Sequence, residues 1–301
     1  MGLTRPERDI AEIFGRDPTD CSQTSHDAWK TGTCPFTGAP CTKTNHDRTL
    51  TYGTCVLTAA GRLVVVCPKR FYGAGHHILK TLGAQHFPGL PVLDFDEYRR
   101  SGANAEVAVL LGQGSGREVS AGNMSLDWVI ARASAGRLVD FVVIEVQSID
   151  ITGNYRDCWD GYRRYRVRRS DVSQIPPGEF GFNWANVHKR IIPQLLRKSL
   201  LIQKAGIQSR GIELLLPDQV FAKFDEVMGF SSLPNYSPQD SQSIRVRSYA
   251  LGASPGPTGF RELTMTHTVS TSFESFSARF ISSTGPSGVA LGVSIQAALV
   301  R

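Results

Sequence analysis

The chain has 301 residues, 41% hydrophobic and 20% charged, a globular composition long enough for one large domain or two smaller ones. Thirty-three Lys and Arg against 27 Asp and Glu leave a net charge of +6, which suits an anionic partner without naming one. No window approaches 18 consecutive apolar residues, so no membrane span is expected. The opening MGLTRPERDIAEIF has neither the apolar stretch of a secretory signal nor a myristoylation pattern. The expected location is cytoplasmic, with the six cysteines reduced or metal-bound.

In chain order, residues 5–15 carry Ile10, Ile13 and Phe14 at helical spacing and predict a short amphipathic helix. Residues 16–50 are polar, turn-rich and without periodicity, so something other than an apolar core must order them. Cys34 and Cys41 lie there on a Pro/Gly-rich loop. Cys55 to Cys67 then reads as a hairpin about Gly61, which would set Cys55 opposite Cys67. Four thiolates meeting around one ion would suit Zn²⁺ or iron. The plainer alternative is four small core residues, since free Cys packs well inside. Cys21 and Cys158 read as inert. Lys43, Arg48, Lys69 and Arg70 surround the sulfurs and could face DNA phosphates, or simply water. Residues 1–85 are therefore expected to form an N-terminal four-cysteine metal-binding, DNA-contacting subdomain, and 86–301 a second unit. Residues 70–85 read as a helix on which the adjacent His76 and His77 diverge. Residues 105–111 read as a strand. The following GQGSG lacks the Gly-Lys-Ser/Thr ending of a phosphate loop and reads as a connection.

Residues 125–155 are the most informative stretch. Leu126 to Ala133 alternates, Ala135 and Gly136 form a turn, and Leu138 to Gln147 is a second, more apolar strand. Counted from Gly136, Asp127 lies nine residues before and Glu145 nine after, so the two carboxylates should oppose each other across the ladder. Gln147 shares the face of Glu145, and Asp140 points to the other face. Two close carboxylates repel unless a cation or a proton separates them, and Mg²⁺ favours such hard oxygen ligands. The pattern D-x(17)-E-x-Q varies the D…(D/E)-x-K arrangement of many nucleases, with a neutral amide in place of the lysine. An ordinary hairpin with scattered acids would give the same residues.

Residues 154–169 predict a helix with six Arg against two Asp and with Tyr155, Tyr162 and Tyr165 interleaved. Arg156 and Arg163 are candidate DNA contacts there. Residues 170–182 read as a loop. Residues 184–204 form a long amphipathic segment kinked at Pro193, with Lys198 among its polar decorations. Residues 212–216 predict a strand, 217–228 a helix, and 243–251 a strand with Arg245 and Arg247 on one face as further DNA-contact candidates. Residues 263–281, rich in Thr, Ser and Phe, read as strand-like.

TGTCPF, the following cysteine, GTCVL, VVVCPKR, SLDW, EVQSIDITGNY and NVHKR together resemble the NotI-type restriction endonucleases, over about residues 31–206. The resemblance implies an α/β fold with a PD-(D/E)xK-type nuclease core, a mixed central sheet flanked by helices, behind the four-cysteine subdomain. It implies a bacterial type II enzyme that cuts both strands of a GC-rich palindrome with Mg²⁺ as a homodimer. Cys34, Cys41, Cys55 and Cys67 match structural metal ligands, with iron in that family. Asp127, Glu145 and Gln147 match catalytic residues, and Glu118 an upstream acid. A short member suggests a shorter site, CGGCCG. Asp127 and Glu145 would bind Mg²⁺, with the Val146 carbonyl available as a further ligand. The competing expectation is a metal-stabilised DNA-binding protein without catalysis.

Overall fold

The computed structural model describes residues 7–101, 105–112, 117–169, 171–256, 259–282 and 288–299. The first six residues, read above for targeting signals, and residues 113–116 of the GQGSG connection lie outside that set.

The strands in chain order are β1 (Arg8–Ile13), β2 (Thr54–Ala59), β3 (Arg62–Val65), β4 (Val92–Asp94), β5 (Val107–Gly112), β6 (Val119–Ala121), β7 (Met124–Leu126), β8 (Trp128–Ser134), β9 (Arg137–Val146), β10 (Ile151–Asn154), β11 (Glu179–Phe182), β12 (Ser209–Pro217), β13 (Ser243–Leu251) and β14 (Leu263–Ser272). The helices are α1 (Gln23–Thr31), α2 (Gly73–His86), α3 (Phe95–Arg100), α4 (Arg156–Arg168), α5 (Ile192–Gln203), α6 (Asp218–Met228), α7 (Phe273–Ser282) and α8 (Gly288–Leu299). None is long and apolar enough to cross a membrane, among the described residues.

The centre is a mixed seven-stranded sheet in the order β14-β13-β12-β9-β8-β5-β4. β9 pairs antiparallel with β8 and parallel with β12. It is buried on both faces: Phe141 and Val143 join α5 and α6 on one side, while Val142, Ile144 and Val146 join α2 on the other. That double burial explains why β9 reads as a nearly unbroken apolar run.

Several expectations change. Residues 8–13 form strand β1, not a helix, paired antiparallel with β2. Its acids are core groups: both Asp9 carboxylate oxygens accept from the Tyr162 hydroxyl at 2.8 Å, and Glu12 is ion-paired with the buried Arg70. A helix-spacing argument counts Asp9 and Glu12 as solvent positions, and their buried partners overturn it. Residues 16–50 do contain a helix, α1, opened by Ser22, whose hydroxyl accepts from the Ser25 amide, and closed by the left-handed Gly32. The β2–β3 register is Val56↔Val65, so Cys55 stands opposite Val66, one place short of Cys67. The turn there is the two-residue Ala60-Gly61, both at positive φ, which centres the hairpin half a residue earlier than Gly61. Residues 263–281 divide into β14 and α7, because Phe273, Phe276 and Phe280 recur at helical spacing and the Ser272 hydroxyl accepts from the Ser275 amide. The division expected after residue 85 falls at the end of α2, and one core cluster runs across it, joining Ile10, Leu57 and Val64 to Trp159, Leu195 and Leu214.

Candidate active site

The site rests on the register of β8 against β9. The turn Ala135-Gly136 has both residues at positive φ (47° and 75°), the two-residue geometry that follows strand twist. Next to the turn the pairs are Ser134↔Arg137 and Ala133↔Leu138; beyond it they are Arg132↔Asp140 through Trp128↔Ile144. Val139 is therefore the extra residue of a β-bulge. Without that bulge this chain would set Asp127 opposite Ile144. With it, Asp127 follows Trp128 into the position facing Glu145.

The Val146 amide donates to Asp127 Oδ2 at 2.9 Å, and the Asp127 amide lies 3.4 Å from Glu145 Oε1. Glu145 is buried and Asp127 half-buried. Burial pushes both carboxyls above their ordinary values, and Glu145, which also feels the Asp127 charge, rises to about 8. The amide of Gln147 donates to the Leu215 carbonyl at 3.1 Å, which ties the end of β9 to β12. Asp140 is fully buried away from this pair and is bound by Arg210 at 2.7 Å.

The structure adds one group to the site that the sequence pattern places among polar decorations. Lys198, from α5, donates to Glu145 Oε2 at 2.5 Å and is itself buried. Its signal was available: the buried stripe of α5 is Ile192, Leu195, Lys198, Ser199 and Ile202, a helical face on which a lysine is out of place. Glu118 is exposed and accepts from the Ser125 hydroxyl. The β6–β7 pair Val119↔Leu126 puts it one step from Asp127.

Gln147 opens onto a cleft of about 240 Å³, edged by Lys43, Lys69 and Arg190 and closed by Cys67, Pro68 and Asn186. The Arg190 guanidinium is held by Asp150 at 2.9 Å. The Ser148 hydroxyl donates to the Val66 carbonyl at 3.2 Å, fixing the cysteine hairpin against the end of β9. Arg48 is exposed on a neighbouring turn at positive φ. Arg156 and Arg163 are exposed on the outer face of α4, both near Asp160. Arg245 and Arg247 do not belong to such a surface. Both are buried on β13 and bonded to Glu213, Arg245 at 2.9 Å, with His86 completing the cluster at 2.6 Å. Alternation correctly put them on one face, but that face packs inward.

Cys34, Cys55 and Cys67 share one buried cluster, and the half-buried Cys41 packs against it. The Cys55 thiol donates to the Gly53 carbonyl at 3.3 Å, and its interaction with Cys67 lowers the Cys67 thiol to about 7 and raises that of Cys55. Burial raises Cys41. Four soft sulfurs in one place are the donor chemistry of a thiolate metal site. Among the described residues, however, no group of three or more His, Cys, Asp or Glu side chains is drawn together closely enough to hold an ion.

Two facing carboxylates at the open end of a hairpin, reached through Gln147 from a cleft lined by Lys43, Lys69 and the Arg190–Asp150 pair, suit an anionic substrate. The family model of restriction endonuclease NotI matches residues 26–225, well over half of the chain, and the chain belongs to that family. Its activity is accordingly that of a restriction endonuclease, a nuclease acting on DNA. The matched span holds the four cysteines, the β8–β9 hairpin, α4 and α5, and ends before β13. No curated protein matches the chain.

Proposed function

We propose that the chain is a Mg²⁺-dependent type II site-specific deoxyribonuclease, a homodimer that cuts both strands of a GC-rich palindrome, with CGGCCG as the first candidate site. The observation that carries this reading is the bulged register that sets Asp127 against Glu145 in a family of restriction endonucleases. The donor set fits: two carboxylates, largely withdrawn from water and mutually repulsive, lower their energy by sharing a hard cation. Mg²⁺ bound there supplies a Lewis acid and a water of lowered pKa. Gln147 orients the attacking water through its amide. Lys43 and Lys69 hold the DNA backbone in the cleft, and Arg48, Arg156 and Arg163 extend the cationic surface. Hydrolysis breaks the bond between phosphorus and the 3′ oxygen, leaving a 5′-phosphate and a 3′-hydroxyl. Glu118 acts as an outer acid of the same site. Cys34, Cys41, Cys55 and Cys67 would hold a structural iron or zinc once their side chains draw together around it, fixing the wall of the cleft, and elemental analysis of the purified protein reads whether either ion is bound.

The test is to incubate the protein with long DNA of known sequence and Mg²⁺, beside a Glu145→Ala control, and to map the ends. Discrete fragments ending at one GC-rich palindrome, absent from the control, are expected. Uncut DNA with intact binding in a gel shift would make the chain a DNA-binding protein without catalysis.

A further inference from the structure

The nuclease pattern of this chain has an amide where a lysine usually stands, at position 147, and a lysine where its helix calls for an apolar residue, at position 198. The two irregularities meet at one point. Lys198 Nζ lies 2.5 Å from Glu145 Oε2, and Gln147 is two residues further on, just past the end of β9. Among the buried described residues of α5, Lys198 alone is charged. Burying an ammonium is costly unless it is paired, so its place on this stripe asks for a reason.

We infer that Lys198 is the positioning cation of the nuclease site, supplied from α5 in place of the lysine missing at position 147. The inference rests on the nuclease reading of Asp127 and Glu145. Lys198 fixes the rotamer of Glu145 by direct bonding, and Glu145 in turn receives the Asp127 amide. It also sets the charge of the site. Asp127, Glu145 and Lys198 together carry one negative charge when ionised, and a bound divalent ion takes the site to one positive charge. Without Lys198 the same ion would leave it neutral. Lys198 therefore weakens capture of the ion while leaving net positive charge to meet the scissile phosphate, whose charge shifts during displacement.

This division separates the inference from a purely structural role. A lysine that only fills space or props α5 would, on removal, loosen the carboxylates and weaken ion binding. A charge-setting lysine does the opposite. The experiment uses the full chain and its Lys198→Met, Lys198→Arg and Lys198→Met/Gln147→Lys variants. Mn²⁺ binding is measured by titration calorimetry without DNA, and cleavage with saturating metal. Mn²⁺ should bind Lys198→Met about tenfold more tightly than the parent, because one nearby positive charge has been removed. The same variant should cut about 100-fold more slowly, the loss typical of one preorganised charge in an active site. Lys198→Arg should fall between, and the double variant should recover at least about tenfold over Lys198→Met, since it returns an ammonium to the same end of β9. Unchanged or weaker Mn²⁺ binding in Lys198→Met overturns the inference, even if cleavage falls. An Asp127→Asn control keeps the two readings apart. If parent and control bind Mn²⁺ equally, the nuclease site itself is wrong. If the control is dead while Lys198→Met binds and cuts as the parent does, only the role of Lys198 is wrong.

Discussion

Asp127 and Glu145 are held where neither is at ease as an anion, since burial raises both carboxyls. A group whose folded pKa is raised costs stability once the pH exceeds its ordinary value. Asp127→Asn should therefore abolish cleavage, by about 10³-fold or more, the scale set by metal-assisted charge stabilisation. Its melting temperature without metal at pH 8 should equal or exceed that of the parent. A destabilised but active variant would count against the site. Glu213 shows the reverse case. His86 and Arg247, bonded to it against the cost of burial, hold it down to about 2 from an ordinary 4.5. Its contribution is present above pH 4.5 and is lost as the pH falls toward 2. The shift corresponds to on the order of 3 kcal/mol. Acid melting curves should show that loss, and Glu213→Gln should flatten it while lowering stability at neutral pH by roughly 3–5 kcal/mol, because Arg245 and Arg247 lose their buried anion.

At the scale of elements, the β8–β9 hairpin was legible because a turn signal and two apolar runs bracket it. Its centre at Gly136 describes the far end of the ladder only because Val139 bulges. Deleting Val139 would regularise the hairpin and still leave the Asp and Glu opposite each other. Cleavage by that variant should stay within about tenfold of the parent, since register is preserved and only local twist changes. Loss of cleavage in a variant that melts normally would mean that another pairing does the chemistry. The strands β12 and β13 and the helices α4 and α6 were equally readable from periodicity. β1 was not, because its acids find partners about 60 and 150 residues away in sequence, Arg70 and Tyr162, and no local pattern announces them. Lys198 is hard to read for a related reason: a single lysine on an amphipathic helix looks like solvent-facing decoration unless it falls on the buried stripe, here that of Ile192, Leu195 and Ile202.

At the scale of the whole molecule, the net charge of +6 and the cations beside the site predict binding that weakens steeply with salt. Arg156→Ala and Arg163→Ala should each reduce the slope of log K against log salt by about 1, the change expected for one lost phosphate contact. Sedimentation on a palindromic duplex should give two chains per duplex, and an obligate monomer would exclude a two-fold cutter. β1 carries a further consequence, for the order in which the chain is made. It is made long before its partners: Asp9 must wait for Tyr162, and Arg70, the partner of Glu12, donates to the carbonyl of Arg261, 191 residues further on. β1 is thus locked by a segment made long after it. A nascent or prematurely terminated product that stops short of Arg261 would carry an unfastened β1, so the finished fold waits until that residue has been made.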